Sequence, residues 1–322
     1  MNKAYKFLHS ALLLSGLSIT AFSQGPSGTV QIVNLYDAFG KDRGGIERDW
    51  GFSALIRYRG KAILFDAGTN ARKLEQNAKS LGADLSKVDI AIVSHSHYDH
   101  IGGFDFLLEK NPKVKIYLPN DFIGLGAPSK FPFRERDPAA SERLSRDERY
   151  FRGEQSSDGF PVLSTGRFWK SDAEFVTAAR EVLPGLTLVP TTSSLTGTFN
   201  RYPPFEQSPN LNGLPELSAV FATADGDIVI SGCSHSGIEN IVQAAKRSTG
   251  AKTRLVVGGF HLITYDEAYI SALASDMKKE LGVVSVAPAH CTGHLAFSVL
   301  KEAFGANYKF FGLGERIELS DR

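Results

Sequence analysis

The sequence predicts an α/β protein organised as a four-layer αββα sandwich. In both halves of the 322-residue chain, a pair of apolar strands is followed by a helix, a further strand and a further helix. This repeated order is typical of two sheets that pack face to face, each covered on its outer side by helices. Histidines follow several of the predicted strands, so we expect the loops that carry them to meet at one sheet edge.

The first half begins with strands predicted over 30–36, 52–58 and 62–65. The last two are joined by Arg59-Gly60-Lys61, whose composition is typical of a tight turn. The remaining elements predicted for this half are a helix over 71–81, a strand over 88–94, a helix over 104–110 and a strand over 114–118.

The second half begins near Leu217, where two strands form a predicted hairpin through Asp225-Gly226. Asp266 is a predicted N-cap for a helix that ends at Lys279. The elements predicted for this half are strands over 217–223, 227–231, 254–258 and 283–287, helices over 238–248 and 295–304, and short strands within 308–319.

The composition is that of an ordinary globular protein, with 42% hydrophobic and 22% charged residues. The net charge is +1, so the chain lacks the excess of basic residues that nucleic-acid binding usually needs. We therefore expect a small-molecule substrate and no nucleic-acid partner. The composition leaves the oligomeric state open.

The N-terminal segment Met1–Gln24 predicts a secretory signal peptide. Lys3 and Lys6 supply the positive start, an apolar run over 7–22 follows, and Ala21-Phe22-Ser23 offers small residues for cleavage. The alternatives are a buried N-terminal helix or an uncleaved anchor. If the segment is cleaved, residues 25–322 form a periplasmic or secreted protein with no stable membrane anchor. No later window of the sequence is long and apolar enough to span a bilayer.

Residues 119–215 interrupt the regular pattern and are rich in Pro, Gly, Ser and charge. We interpret them as a lid-like insert, because long irregular stretches in compact domains are often functional. Their aromatic residues either cap the site and shape a substrate pocket or only pack the insert on the body. Arg201 is a candidate contact for an anionic substrate group, with a surface salt bridge as the alternative.

The predicted ligand loop directly follows the apolar residues 90–93. His95, His97, Asp99 and His100 lie within six positions, and Gly102-Gly103 follow. Because alternate side chains of an extended strand point the same way, His95 and His97 can converge on one cation. The turn beyond them lets Asp99 and His100 face a second point nearby. Neutral imidazole and carboxylate are ligands that Zn²⁺, Fe and Mn²⁺ accept.

This HxHxDH motif with its Gly-Gly pair resembles that of the metallo-β-lactamase fold superfamily. Asp66 stands where that superfamily has a structural aspartate before the first helix. Residues 231–237, 258–262 and 288–293 look like one branch, similar to the 7,8-dihydropterin-6-methyl-4-(β-D-ribofuranosyl)aminobenzene 5′-phosphate synthase and dihydropteroate-synthase-like. The resemblance runs from about residue 30 to the C-terminus, and it implies the αββα sandwich and a metal-dependent activity.

Two further histidines, His235 and His290, follow apolar strands and are predicted metal ligands. His261 has three alternative roles: a metal ligand, a substrate contact, or a residue that supports a ligand. The better-known enzymes of the superfamily carry one more histidine and a bridging aspartate after a glycine. This chain has no histidine between His100 and His235, and Cys233 stands at the aspartate position. The predicted ligands of one or two divalent ions, zinc first and Mn or Fe as alternatives, are His95, His97, Asp99, His100, His235 and His290.

The two cysteines, Cys233 and Cys291, each stand beside a predicted ligand. The first interpretation is that they are packed small residues. The alternatives are a disulfide in an oxidising compartment, thiols that support a ligand, or a thiolate that binds metal.

The predicted chemistry follows from a cation that activates water and polarises a carbonyl or phosphoryl oxygen. Asp99 is then both a candidate ligand and a candidate proton shuttle. Nucleophile-elbow, Walker and dinucleotide-binding motifs are absent from the sequence. The first hypothesis is a metal-dependent hydrolase of a small anionic or heterocyclic substrate. Alternatives are the pterin-type carbon–nitrogen transfer that the branch implies, a non-catalytic metal-containing binding protein, and a redox di-iron site, which is disfavoured because its acidic bridging ligand is not evident.

Overall fold

A computed structural model describes residues 29–121, 171–192 and 214–320, with short pieces at 125, 133–134, 143, 145, 154–155, 161–163 and 168. The predicted signal segment Met1–Gln24 and the candidate substrate contact Arg201 lie outside the described residues.

The described strands and helices are numbered separately in chain order. The strands are β1 (Thr29–Tyr36), β2 (Ser53–Tyr58), β3 (Lys61–Phe65), β4 (Ile90–Ile92), β5 (Lys115–Pro119), β6 (Phe133–Arg134), β7 (Glu154–Gln155), β8 (Pro161–Leu163), β9 (Asp172–Val176), β10 (Arg180–Leu183), β11 (Leu186–Thr191), β12 (Glu216–Phe221), β13 (Asp227–Ser231), β14 (Thr253–Gly259), β15 (Ser285–Ala289) and β16 (Arg316–Ser320). The helices are α1 (Ala71–Ser80), α2 (Tyr98–Ile101), α3 (Phe104–Lys110), α4 (Ile238–Thr249), α5 (Glu267–Lys279) and α6 (His294–Phe304).

Two mixed sheets form the centre of the molecule. The first has the strand order β16-β1-β2-β3-β4-β5-β9, and the second has the order β10-β11-β12-β13-β14-β15. In the first sheet β4 runs parallel to both β3 and β5, and in the second β13, β14 and β15 are mutually parallel neighbours. The short strands β6, β8 and β7 form a separate small sheet.

The hydrophobic residues divide into the layers of an αββα sandwich. Phe65 and Ile32 of the first sheet share a buried cluster with Phe221 of the second, so the two sheets pack face to face. On the outer side of the first sheet, Leu74 of α1 and Phe104 of α3 are buried together. On the outer side of the second sheet, α4, α5 and α6 share one buried cluster, and α4 also packs through a second one. The predicted fold class is therefore confirmed.

Local sequence explains where the helices begin. The Asn70 side chain accepts a hydrogen bond from Lys73 N at the start of α1, and Asp266 accepts one from Tyr269 N at the start of α5. These bonds satisfy backbone donors that a helix leaves unpaired at its N-terminus. The predicted N-cap at Asp266 is confirmed. Among the described residues, no helix is long and apolar enough to cross a membrane.

Part of the segment interpreted as an insert over 119–215 forms regular strands in the described structure. Asp172–Val176 is an edge strand of the first sheet, paired in parallel with β5. Arg180–Leu183 and Leu186–Thr191 form a hairpin through Pro184-Gly185 and belong to the second sheet. Residues 171–192 are thus part of the sandwich, and most of the remaining predicted insert lies outside the described residues.

We expect Phe221→Ala to destabilise the sandwich strongly. The Phe221 side chain is fully buried between the sheets, with its ring centroid 5.2 Å from that of Tyr58. Truncating a buried phenylalanine typically lowers the free energy of unfolding by about 3–5 kcal/mol. Denaturant unfolding measures this loss. Phe310→Ala is the control, because Phe310 is 43% exposed and surface changes are usually within about 0.5 kcal/mol. Equal losses in the two variants would contradict the layer assignment.

Candidate metal centre

The candidate ligands lie in loops at the carboxyl ends of parallel strands. The loop after β4 carries His95 to His100, and the loop after β13 carries Cys233 and His235. His261 follows β14, and His290 with Cys291 follows β15. Because the two sheets are packed face to face, these four loops meet at one edge, as the sequence predicts.

The Gly-Gly pair after the ligand loop allows the backbone to approach the residues that follow β3. A Cβ atom at Gly102 would lie 1.8 Å from Thr69 O, and one at Gly103 would lie 2.0 Å from Ala67 O. No other residue fits at that distance. The pair therefore holds α2, which carries Asp99 and His100, against the loop that begins at Asp66.

The first ligand group consists of His95, His97, His235 and Cys233. The ring centroid of His97 lies 4.7 Å from those of both His95 and His235, and the His95 and His235 centroids are 4.9 Å apart. Ligand atoms of His95, His235 and Cys233 lie within 4.8 Å of one another. His95 Nε2 is buried with no hydrogen-bond partner among the described residues. A buried polar atom in this condition is costly, and a bound cation would satisfy it.

The second ligand group consists of Asp99, His100, His290 and Cys233. His100 Nε2 lies 3.3 Å from His290 Nε2 and 3.2 Å from Cys233 Sγ. Asp99 Oδ2 lies 3.2 Å from His290 Nε2 and 3.9 Å from His100 Nε2. Two nitrogens bound tetrahedrally to one Zn²⁺ at about 2.0–2.1 Å lie about 3.3 Å apart. The spacing within this group therefore fits a tetrahedral zinc ion.

Cys233 is the member that the two ligand groups share. Its sulfur lies within 4.8 Å of ligand atoms of His95 and His235, and also within 4.8 Å of ligand atoms of His100 and His290. A third cluster joins the same sulfur to His261 and Cys291, and the His261 ring centroid lies 4.3 Å from that of His235. Cys233 and Cys291 are both buried and free, with their sulfurs 3.2 Å apart.

The protonation of the first ligand group favours metal binding. Burial lowers the pKa of His95 well below its ordinary value, and the neighbouring His100 and His235 lower it further. Burial, with His261 and His97, lowers the pKa of His235 to about 2. Both imidazoles are therefore neutral at physiological pH, which is the form that coordinates metal.

The second ligand group is more strongly charged. Burial raises the pKa of Asp99, but the hydrogen bond with His290 and the nearby His100 outweigh it and hold the pKa below its ordinary value. Burial lowers the pKa of His290, but Cys291, Asp99 and Asp37 raise it to about 9. A metal ion that binds His290 must displace this proton, so binding to this group is linked to pH.

Asp66 orients a ligand in each group. Its Oδ2 accepts hydrogen bonds from His100 Nδ1 and from Ser94 Oγ, each 2.7 Å long, and its Oδ1 accepts one from Ser94 N. Because the Ser94 hydroxyl donates to Asp66, it accepts from His95 Nδ1 at 2.8 Å. Both imidazoles then carry their proton on Nδ1 and direct Nε2 to the centre. Such supporting contacts fix the tautomer and orientation of a metal-binding histidine.

Two further buried carboxylates hold the loops of the second sheet. Glu216 accepts hydrogen bonds from the backbone N–H groups of His235 and Ser236, at 2.8 and 2.7 Å. Asp37 Oδ2 accepts one from His290 N at 3.1 Å. The loops of His235 and His290 are thus each fixed by a carboxylate from another strand or strand end.

Strained backbone is concentrated at this edge. Asp66, Ser234, His261 and His290 have positive φ, at 56°, 64°, 51° and 46°. This conformation is uncommon for residues other than glycine, and it persists only where the surrounding structure enforces it. The strain supports a functional role for the edge.

We expect Glu216→Gln to loosen the His235 loop. An amide offers one acceptor where the carboxylate has two, so one buried N–H would be left unpaired. We expect a loss of about 1–3 kcal/mol in the free energy of unfolding and weaker binding of one metal ion. Thermal unfolding and chelator competition measure the two effects. Glu318→Gln is the control, because Glu318 accepts its hydrogen bond at the exposed edge strand β16. An unchanged metal affinity in Glu216→Gln would contradict this role.

The structure brings all six predicted ligands to the shared edge, together with His261, both cysteines and the predicted structural residue Asp66. The sequence interpretation missed Asp37, Ser94 and Glu216, which support the ligands through hydrogen bonds. Asp37 shares one signal with Asp66, namely a carboxylate directly after an apolar strand. Glu216 is the first residue of β12 and carries no such signal.

A cleft of about 440 Å³ lies over the centre. Metal-site residues form its floor, and Asp49, Trp50, Thr69 and Tyr98 contribute to its walls. Trp50 and Tyr98 are 45% and 60% exposed, and the Trp50 ring centroid lies 4.9 Å from that of His290. Among the described residues that line the cleft there is no lysine or arginine.

Sequence comparison agrees with this fold and site. Residues 50–198 match the family model of the metallo-β-lactamase superfamily. Over these residues the chain is similar to members of this superfamily.

Two relatives and one solved structure are similar to most of this chain. Over 270 residues the chain is 28% identical to the 7,8-dihydropterin-6-methyl-4-(β-D-ribofuranosyl)-aminobenzene-5′-phosphate synthase of Methanocaldococcus jannaschii, with 80% of this chain and 84% of the synthase covered. The uncharacterized protein MJ0448 of the same organism is 29% identical over 277 residues, which cover 78% of this chain and 87% of that protein. The solved structure of Tm1679, a metal-dependent hydrolase of the β-lactamase superfamily, has a TM-score of 0.64 and 25% identity, over 90% of this chain and 99% of that chain.

Proposed function

We propose that this protein is a metal-dependent hydrolase that holds two divalent ions and acts on a small substrate. The observation that carries the proposal is the position of Cys233 in both ligand groups, which provides for two adjacent ions below one cleft. The likeness to the metal-dependent hydrolase Tm1679 supports the same reaction class. The donors are imidazole, carboxylate and thiolate, a set that suits zinc or iron better than manganese.

When bound, a divalent ion activates water as a nucleophile and polarises a carbonyl or phosphoryl oxygen of the substrate. Asp99 lines the cleft and stays charged at physiological pH, which is the form that binds metal, and it remains the proposed proton shuttle. His95 and His100 present Nε2 to the centre because Asp66 and Ser94 hold their Nδ1 atoms.

The cleft favours a flat substrate. If this substrate carries an anionic group, the metal ions are the partners that the group would contact. Trp50 offers an exposed aromatic face beside His290, against which a heterocycle can stack. The described lining has no lysine or arginine that would pair with an anion. Arg201 remains a proposed anion contact, since it lies outside the described residues.

The second candidate function is carbon–nitrogen bond formation of the pterin type. It is supported by the 28% identity to the dihydropterin synthase, which extends over 84% of that enzyme. An activated 6-methylpterin and an arylamine would then occupy the cleft.

We further propose a periplasmic or secreted location, supported by the signal-like residues Met1–Gln24.

Metal content and turnover test the proposed hydrolase directly. Purified protein is reduced, loaded with zinc and assayed with a phosphodiester, a lactone, a thioester and a β-lactam, with and without a chelator. We expect chelator-sensitive hydrolysis of at least one substrate, restored by added zinc. His97→Ala should lose metal and activity together, because it removes an imidazole from the first ligand group.

Other results of the same assay would favour other functions. A coupled product from an activated pterin and an arylamine, without hydrolysis in the panel, would favour the synthase-type reaction. Tight zinc binding without either reaction would favour a metal-containing binding protein. Full metal content in His97→Ala would contradict the assignment of that residue.

A further inference from the structure

The two cysteines form a close pair that the two ligand groups do not fully explain. The Sγ atoms of Cys233 and Cys291 are 3.2 Å apart, and Cys291 Sγ also lies 3.6 Å from Cys233 O. They come from different loops, 58 positions apart in the chain, and both are buried. Gly259 lies beside the pair, where a Cβ atom would approach Cys291 Sγ to 2.8 Å. A glycine at this position thus leaves the space that the second sulfur occupies.

The same sulfur of Cys233 is the shared member of both ligand groups. A disulfide bond is about 2.05 Å long, so the two sulfurs need to approach by about 1.1 Å to form one. That movement draws Cys233 Sγ towards Cys291. A sulfur in a disulfide also has no thiolate charge, and the thiolate is the form that binds metal.

We propose that Cys233 and Cys291 are a dithiol oxidation site, in which formation of their disulfide and binding of metal by Cys233 exclude each other. The inference rests on the proposed function, which assigns Cys233 as the shared ligand. Both cysteines line the cleft, so the co-reactant is a low-molecular-weight disulfide that enters it.

The reaction is two successive thiol–disulfide exchanges. Cys291 Sγ attacks one sulfur of the small disulfide, and the other half leaves as a thiol with the proton from Cys291. Cys233 Sγ then attacks Cys291 Sγ in the mixed disulfide and releases the second half as a thiol. The two protein thiols lose two electrons, and the small disulfide gains two.

The order of addition of oxidant and metal tests the inference. Reduced, metal-free protein is divided, and one half receives oxidised glutathione before zinc while the other receives zinc before oxidised glutathione. With oxidant first, we expect a protein lighter by two hydrogens, no titratable thiol after unfolding, and a zinc uptake reduced by at least half. Treatment with a dithiol reductant should restore the uptake. With zinc first, both thiols should survive the same exposure.

Cys291→Ser provides the matched control, because it removes the partner sulfur and keeps the shared ligand. After the oxidant-first treatment, molecules without a glutathione adduct should bind as much zinc as untreated variant. The inference is overturned if the wild type forms the disulfide and still binds zinc in full, or if metal-free wild type forms no disulfide. Absence of zinc from the untreated, reduced wild type would instead refute the proposed metal centre together with this inference.

Discussion

Replacing Cys233 with alanine is expected to lower bound zinc from two ions to at most one and to reduce hydrolysis by about 100-fold or more. Loss of a supporting contact alone typically costs about 10–100-fold in metal affinity or activity, so loss of a ligand should cost at least as much. The thiolate also provides the negative charge between the two ligand groups, and two divalent ions about 4 Å apart repel each other without it. Elemental analysis of the reduced, zinc-loaded protein measures the stoichiometry.

Two companion variants separate the role of the shared sulfur from that of a packed cysteine. Cys291→Ala removes the neighbouring sulfur, which lies outside both ligand groups, and should retain both ions in reduced protein. Cys233→Asp supplies a carboxylate in place of the thiolate and should recover the second ion. With cobalt as the probe, Cys233→Asp should bind metal but lack the sulfur-to-metal charge-transfer band. Equal metal loss in Cys233→Ala and Cys291→Ala would indicate that packing, rather than ligation, dominates.

The fold is predictable where hydrophobic periodicity is local and strong. Helix α3 has the predicted bounds 104–110, and the hairpin of β12 and β13 lies within two residues of its predicted position. Strand β9 has no comparable local pattern, since it is a partly exposed edge strand whose partner β5 lies more than 50 positions earlier. The β10–β11 hairpin carries a Pro184-Gly185 turn between apolar residues, but the polar composition of the surrounding segment concealed it.

Strand β4 shows a second limit of sequence patterns. The apolar run predicts a strand over 88–94, whereas regular pairing covers only Ile90–Ile92. Val93 continues the apolar pattern because it is buried, although it lies beyond the regular strand. Burial and strand pairing are separate properties, and the periodicity of the sequence reports only the first.

At the candidate metal centre, the residue types predict which side chains can bind metal, but the sequence does not predict which of these side chains lie close together. The HxHxDH spacing predicts convergence within one loop because it depends on a few successive residues. The sharing of Cys233 depends on how loops from two sheets meet, about 130 positions apart in the chain. The positive φ of His261 and His290 likewise follows from tertiary constraints and leaves no mark in residue identity.

Asp66→Asn is expected to weaken zinc binding in both ligand groups by about 10–100-fold, the range typical of a lost contact behind a metal-binding histidine. The asparagine removes the charge that holds the proton on His100 Nδ1, and it disturbs the Ser94 hydroxyl that fixes His95. Competition against a chelator of known affinity measures both binding steps.

Two variants distinguish this effect from general destabilisation. Ser94→Ala removes only the link to His95, so we expect it to weaken one binding step and to spare the other. Asp227→Asn makes the same substitution at another buried aspartate, which bonds to Thr249 and lies outside the three ligand clusters, and it should lower stability without changing zinc affinity. If Asp66→Asn behaved as Asp227→Asn does, Asp66 would serve folding alone. A loss in both binding steps for Asp66→Asn, against one for Ser94→Ala, would show that a single buried carboxylate orients a ligand in each group.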